Sequence, residues 1–331
     1  MDNSSVGVQQ APAVGLTNDA ALAAEREQRL QTREQYAKRK GAQDRFATVV
    51  LTVVAGLVCA IVAAMIIYIL YEGVGSIDWE FLTERSYSNG TEGGVAYQLF
   101  DSFYLLVLTL LFSVPISLGA AIWLVEYAPE GRLKSIASTT IETLSSLPSI
   151  VVGMFGFQVF SVNMGLGYSL ISGAVALTMF NIPILVRTIQ QALEDVPQSQ
   201  RDACLALGLT RWEATVHVLI PSAMPAIVTG VVLSAGRVFG EAAALLFTSG
   251  MSSPVRLNFN YIDFSDPTCA WNPFRAGESL AVHIYKIYGE GSPEAQEIVW
   301  GTAALLLICV LLFNILARAV GKLLSRKMTA E

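Results

Sequence analysis

Residues 190–221 read QQALEDVPQSQRDACLALGLTRWEATVHVLIP. With Glu194, Asp195, Arg201, Asp202, Arg211 and Glu213, this stretch is far too polar to cross a lipid core. Its punctuation is helical. Pro197 breaks the first piece, residues 198–207 form a short amphipathic helix, and Gly208 suits its C-terminal cap. Thr210 then caps a second helix that runs to a break before Pro221. Two short helices joined at a glycine make a compact knob.

Apolar runs lie on both sides of the knob, at residues 169–186 and 225–248. Further out lie runs at 46–70, 100–125, 139–160 and 299–320. Each is about as long as the roughly 20 residues a helix needs to cross a bilayer, and a backbone in lipid must satisfy its own hydrogen bonds. The run at 46–70, FATVVLTVVAGLVCAIVAAMIIYIL, has no charge between Arg45 and Glu72. It is too long, and too far from the N-terminus, to be a cleavable signal. The 331-residue chain is 53% hydrophobic and 15% charged, with a mean hydropathy of +0.52, which excludes an ordinary soluble domain. An all-α polytopic membrane protein with six spans is expected.

Charge sorts the connections. Arg26, Arg29, Arg33, Lys38, Arg39, Lys40 and Arg45 precede the first span, and Glu72, Asp78, Glu80, Glu84 and Glu92 follow it. Arg132 and Lys134 follow the second span, Arg201 and Arg211 follow the fourth, and Arg318, Lys322, Arg326 and Lys327 close the chain. By the positive-inside rule both termini are cytoplasmic and the 190–221 knob lies inside. The net charge of −6 says little, because the signs are segregated. The four cysteines, Cys59, Cys204, Cys269 and Cys309, show no disulfide or metal framework.

Two regions are expected: a cytoplasmic arm at 1–45 and a transmembrane domain at 46–325. Residues 1–19 read as a disordered tail, and 20–40 as a solvated helix or a plain disordered arm. The 250–297 loop lies outside, and Tyr261, Phe264, Trp271, Phe274, Tyr285 and Tyr288 make it a folded cap or an interfacial segment. Residues 161–168, SVNMGLGY, form a tight external hairpin. Pro115, Pro148 and Pro183 fall in or beside spans, where each removes a hydrogen bond and permits a kink. Gly153 and Gly156 suit close helix packing.

Charges inside a span cost roughly 2.5–3.5 kcal/mol on insertion scales and normally need a function or a partner. The fifth run contains Arg237 and Glu241, four residues apart and so on one helical face. They form either a buried ion pair that holds the bundle or a polar station on a path, where arginine grips an oxyanion in a fork geometry. Arg187, at the end of the fourth run, is either an inside anchor or a second contact on that path. His217, within the knob, reads as a surface or packing residue. No G-x-x-x-x-G-K-[ST] phosphate cradle is present in the chain.

The knob resembles the signature of ABC importer permeases: Glu-Ala-Ala, three residues, Gly, nine residues, then Ile-x-Leu-Pro. Asp202, Ala203 and Cys204 stand at the triplet, Gly208 at the glycine, and Val218, Ile220 and Pro221 at the terminal element. Residues 142–250 look like the A-type permease of the phosphate-specific (Pst) importer, through LPSIVVGMFG (147–156), IPILVRTIQQALEDVP (182–197) and AGRVFGEAAALLFTSG (235–250). Members usually read Arg-Ala-x-Gly-Glu-Thr-Ala-Pro-Leu-Leu-Phe-Thr. Arg237, Gly240, Glu241, Ala243, Leu245, Leu246, Phe247 and Thr248 match, while Ala242 and Ala244 replace Thr and Pro.

The resemblance implies the type I ABC permease fold, with the knob as a coupling helix that docks on an ATPase. It implies a transport subunit that is not itself an enzyme, with Arg237, Glu241 and Arg187 on a phosphate path and Asp202, Ala203, Gly208 and Pro221 in coupling. The implied partners are a C-type second permease, two ATP-binding subunits that carry the ATP and Mg, and an external phosphate-binding protein. No cofactor is expected on this chain. The implied location is the plasma or inner membrane.

Overall fold

The computed structural model describes residues 45–86, 93–129, 131–254, 256–290 and 293–329. Apart from Arg45, the expected N-terminal arm lies outside them. The chain divides into two compact units, Met1–Ile66 and Ile67–Glu331. Within the described residues of the first, the helix that begins at Arg45 shows apolar side chains all round, including Phe46, Leu51, Leu57 and Ile61, all exposed. A helix apolar on every side suits lipid.

The described secondary structure is helical, with two isolated bridges, Ser86 to Gly93 and Asn258 to Cys269. In chain order the helices are α1 (Arg45–Ser76), α2 (Trp79–Thr83), α3 (Ala96–Tyr127), α4 (Arg132–Ser145), α5 (Ser149–Asn163), α6 (Leu170–Glu194), α7 (Gln198–Ala206), α8 (Arg211–Phe239), α9 (Ala243–Thr248), α10 (Leu280–Glu290) and α11 (Pro293–Thr329). Five helices, α1, α3, α6, α8 and α11, are long and apolar enough to cross a membrane, and α4 with α5 makes a sixth span if the bent pair counts as one.

Three expected boundaries shift, each for a physical reason. The third run is not one straight helix: α4 and α5 meet at 98°, because Pro148 takes an extended backbone (ψ 134) at the start of α5 and cannot continue α4. The knob's second helix does not stop before Pro221. It passes through a π turn, Thr215–Leu219, into Ile220–Phe239. A widened turn lets a residue without an N–H enter a continuing helix. The fifth run, expected at 225–248, instead ends at Phe239, and α9 follows after Gly240.

In the second unit α3 and α6 lie side by side and run the same way. Leu105 neighbours Gly173, Thr178 Oγ1 donates to Thr109 O at 3.4 Å, and Asn181 Nδ2 donates to Ser113 Oγ at 3.1 Å. Ser234 of α8 donates to Asn181 Oδ1, which joins three helices through buried polar side chains. Such bonds hold helices together where lipid offers no hydrophobic drive between them. One apolar cluster, with Leu105, Leu177, Phe239, Leu245 and Leu280, unites α3, α6, α8, α9 and α10. A second, with Leu124, Val186, Ile189, Leu193, Leu219 and Ile227, gathers the opposite ends of α3 and α6 with the start of α8.

The 250–297 loop is a folded cap. Leu170 and Ile171, the first residues of α6, donate their N–H groups to Arg275 O (2.9 Å) and Pro273 O (2.7 Å). Those donors have no partner inside the helix, so the loop supplies it. Phe100 of α3 packs edge-on against Phe259 and Trp271, at 5.0 and 5.4 Å between ring centroids. Tyr261 donates to Asp266, whose carboxylate also accepts from Thr268 N. Together these hold Asp266 below the ordinary carboxylate range.

Candidate functional site

Arg237 lies in the last turn of α8 and is exposed. Its guanidinium carbon stands 4.6 Å from the centroid of the Phe180 ring on α6. A cation over an aromatic face gains about 0.5–2 kcal/mol and fixes the guanidinium plane. Beneath it Phe239 is fully buried, 5.0 Å from Phe103 and 5.3 Å from Phe313 between centroids, so the turn that carries Arg237 is anchored.

Glu241 is not on the same helical face as Arg237. α8 closes at Gly240, and Glu241 lies in the three-residue break, where its Oε1 accepts the N–H of Ala244 at 3.3 Å and so caps α9. No ion pair joins the two among the described residues. The structure therefore places both residues at one helix break but gives them separate partners, and leaves Arg237 without a carboxylate counter-ion among the described residues.

α9 is seated by close backbone contact. A Cβ on Gly153 of α5 would stand 2.7 Å from Ala244 Cα, so only glycine fits. Thr248, buried, donates to Ala244 O and ends the element.

Arg187 lies apart from this break in its bonding. Its Nη2 donates to Ser138 O of α4 at 3.1 Å, its Nη1 reaches Gln190 Oε1 at 3.4 Å, and Glu142 Oε2 lies 3.7 Å away. These contacts fasten α6 to α4. Glu142 is mostly exposed, so the ion pair itself contributes little.

The knob is rigid by construction. Gly208 has φ +83, its N–H donates to Leu205 O at 3.0 Å, and Leu209 N donates to Cys204 O at 3.1 Å, which is the Schellman closure of α7. Thr210 and Glu213 form a reciprocal capping box at the start of α8. Arg201 fixes α7 to two spans: its Nε lies 3.1 Å from Glu126 Oε1 at the end of α3, and its Nη2 donates to Leu193 O of α6 at 2.8 Å. Cys204 is buried, whereas Asp202, Ala203, Leu205, Leu207 and Trp212 face outward. Leu207 is 81% exposed and Trp212 59%, so a stiff apolar surface projects from the bundle. Pro221 is exposed on α8, with Ser222 donating to Gln200 Oε1 of α7 at 3.3 Å.

Residues 113–330 match the family described as "Binding-protein-dependent transport system inner membrane component". The chain belongs to that family. Among its relatives, the "Probable ABC transporter permease protein YqgI" of Bacillus subtilis is 44% identical over 289 residues, covering 87% of this chain and 98% of the relative. The "Phosphate transport system permease protein PstA" of Xylella fastidiosa is 30% identical over 252 residues, covering 76% and 83%. "PstA 2" of Mycobacterium bovis is 31% identical over 263 residues, covering 80% and 82%. In shape the chain is similar to a solved inward-facing MetNI methionine ABC transporter chain, with a TM-score of 0.56 at 18% identity, over 70% of this chain and 95% of that one. This likeness supports the permease fold alone. As a member of the binding-protein-dependent permease family, the chain is a multi-pass membrane transport component.

Some polar groups in this permease have no counterpart in the motif reading. Asp101 of α3 and Arg275 of the cap form a two-pronged ion pair, with both side chains fully buried and Nη1 to Oδ2 at 3.1 Å. Glu278, also buried, contacts His283 Nδ1 at 2.9 Å and Lys286 Nζ at 3.5 Å. Asp101 is a charge inside an expected span, and that was the available signal. Its partner, 174 residues away, gives no spacing to read.

Proposed function

We propose that the chain is the permease subunit of an ATP-driven importer for inorganic phosphate, working beside a C-type second permease, two ATP-binding subunits and an external phosphate-binding protein. The observation that carries the reading is Arg237: a guanidinium on an exposed helix face, oriented by Phe180 and free of any carboxylate partner among the described residues. An arginine so placed offers two parallel donors to an oxyanion. Glu241, held as the cap of α9, is kept from neutralising Arg237. The relatives named as phosphate permeases support the substrate. The α7 knob presents its outward face to an ATPase groove, and its stiffness passes closure to α3 and α6 through Arg201. On this reading the knob and both termini are cytoplasmic, and ATP and Mg belong to the partner chains.

A second reading, an importer of another oxyanion, has support from the 44% identical relative, whose name gives no substrate. Competition for radiolabelled phosphate uptake by the reconstituted complex separates the two. Excess unlabelled phosphate alone is expected to suppress the signal; equal suppression by sulfate or molybdate contradicts the phosphate assignment.

A further inference from the structure

The depth of α4 can be read from α6. α5 runs antiparallel to α6: Ser161 Oγ lies 2.8 Å from Ser172 Oγ, and a Cβ on Gly156 would stand 2.9 Å from that of Ala176. After the 98° bend, α4 meets α6 further along, where Ser138 O accepts from Arg187 and where Ala137 and Ile141 pack on the cluster of Val186, Ile189 and Leu193. α6 has no charged side chain from Leu170 to Val186, then carries Arg187 and Glu194 with Gln190 and Gln191 between them. In a spanning helix such a change marks the edge of the hydrocarbon core. α4 therefore sits at that edge, and its angle to α5 lays it along the membrane plane.

The side chains of α4 divide to match. At the helical period Leu133, Ile136, Ala137, Ile141 and Leu144 share one face, and Ser135, Ser138, Thr139 and Glu142 the other. Of the apolar set, Ala137 and Ile141 pack on the bundle. Leu133, Ile136 and Leu144 remain 56%, 64% and 41% exposed. A single exposed leucine needs no explanation, but an apolar stripe along one helix does.

We propose that this stripe is seated in the boundary between headgroups and acyl chains of one phospholipid leaflet, which makes α4 an in-plane lipid-binding helix. Lipid is the fitting occupant because α5, the other arm of the bent pair, also exposes apolar side chains, Ile150, Val151 and Met154, and its packing on the charge-free part of α6 puts it in the core. Arg132 and Lys134 at the start of α4 suit phosphate headgroups. The seating has a consequence: Ser138 O and Glu142, both on α4, hold Arg187, so the lipid surface sets where the polar end of α6 is fastened.

The test uses the assembled complex in nanodiscs of phosphatidylcholine or of its chain-brominated form. Cys59, Cys204, Cys269 and Cys309 are replaced by alanine, and Leu133→Cys, Ile136→Cys, Leu144→Cys and the polar-face control Thr139→Cys are each labelled with an environment-sensitive fluorophore. Loss of fluorescence in brominated lipid is expected at positions 133, 136 and 144 and not at 139. No loss at any position means that protein or water covers the stripe, and loss at all four means that α4 is immersed; either result overturns the proposal. Should the cysteine-free background fail to assemble, Ile136→Glu in the native background is compared with Thr139→Glu. The first is expected to lower the Tm of the complex in phosphatidylcholine nanodiscs and the second to leave it unchanged, while an equal Tm for the two variants overturns the proposal. Neither reading depends on the solute carried, so failure here is separate from failure of the phosphate assignment.

Discussion

Arg201 and Glu126 meet at 3.1 Å with little exposure on either side, and this contact joins the outward knob to the end of a spanning helix. Arg201 also holds Leu193 O of α6, so one side chain ties α7 to both members of the α3 and α6 pair. Arg201→Ala removes both ties, the ion pair with Glu126 and the charged hydrogen bond to Leu193 O, the latter about 1.5–3 kcal/mol. We expect ATP hydrolysis by the complex to persist while solute moved per ATP falls; an unchanged ratio would show that the knob transmits motion by another contact.

The two caps of the knob differ in what they protect. Gly208 is left-handed, at φ +83, with open space where a Cβ would stand, so Gly208→Ala adds backbone strain and no clash. That strain is about 1–2 kcal/mol. Thr210→Ala removes the box with Glu213 and costs about 1 kcal/mol. Both are expected to lower the binding of the ATP-binding subunits in co-purification while the permease still inserts. Gly208→Trp places a bulky side chain on the surface proposed to dock the ATPase and is expected to abolish that binding.

Asp101 and Arg275 hold the cap on α3 with no solvent contact. Breaking a buried pair from one side leaves an uncompensated charge and costs about 3–5 kcal/mol, whereas removing both charges costs less. In thermal unfolding of the purified protein, Arg275→Met is expected to lower Tm more than the double variant with Asp101→Leu. A double variant less stable than the single one contradicts this account of the cap.

Acid should loosen the cap at one identifiable point. Asp266 is held below the ordinary carboxylate range by Tyr261 and then by Thr268. Its folded value is thus below its unfolded one, so its contribution is present above about pH 4 and is lost as pH falls through the folded value. Hydrogen exchange across residues 256–275 is expected to be constant from neutral pH down to about pH 5, after correction for intrinsic rates, and to rise below it. Asp266→Asn is expected to show the faster exchange already at neutral pH.

Much of this permease was legible in its sequence. Long apolar runs located the spans, and Gly208 and Thr210 announced the knob because cap chemistry is local. The misplaced boundaries came from residues whose effect depends on the turn beside them. Pro221 looks like a stop, yet the π turn before it lets α8 run on. Arg237 and Glu241 have helical spacing, yet Gly240 ends the helix between them. Asp101 and Arg275 are paired only by the fold, since nothing local joins residues so far apart in the chain.

The central claim is that Arg237, oriented by Phe180 at the end of α8, contacts the transported phosphate. Phosphate uptake by proteoliposomes containing the complete complex, comparing the native chain with Arg237→Gln and Arg237→Lys, tests it most directly. The account predicts normal assembly and ATP hydrolysis in both variants, uptake abolished by Gln and only partly retained by Lys, which keeps the charge but not the fork. Full uptake by an assembled Arg237→Gln complex would contradict it and leave Arg237 a structural partner of Phe180.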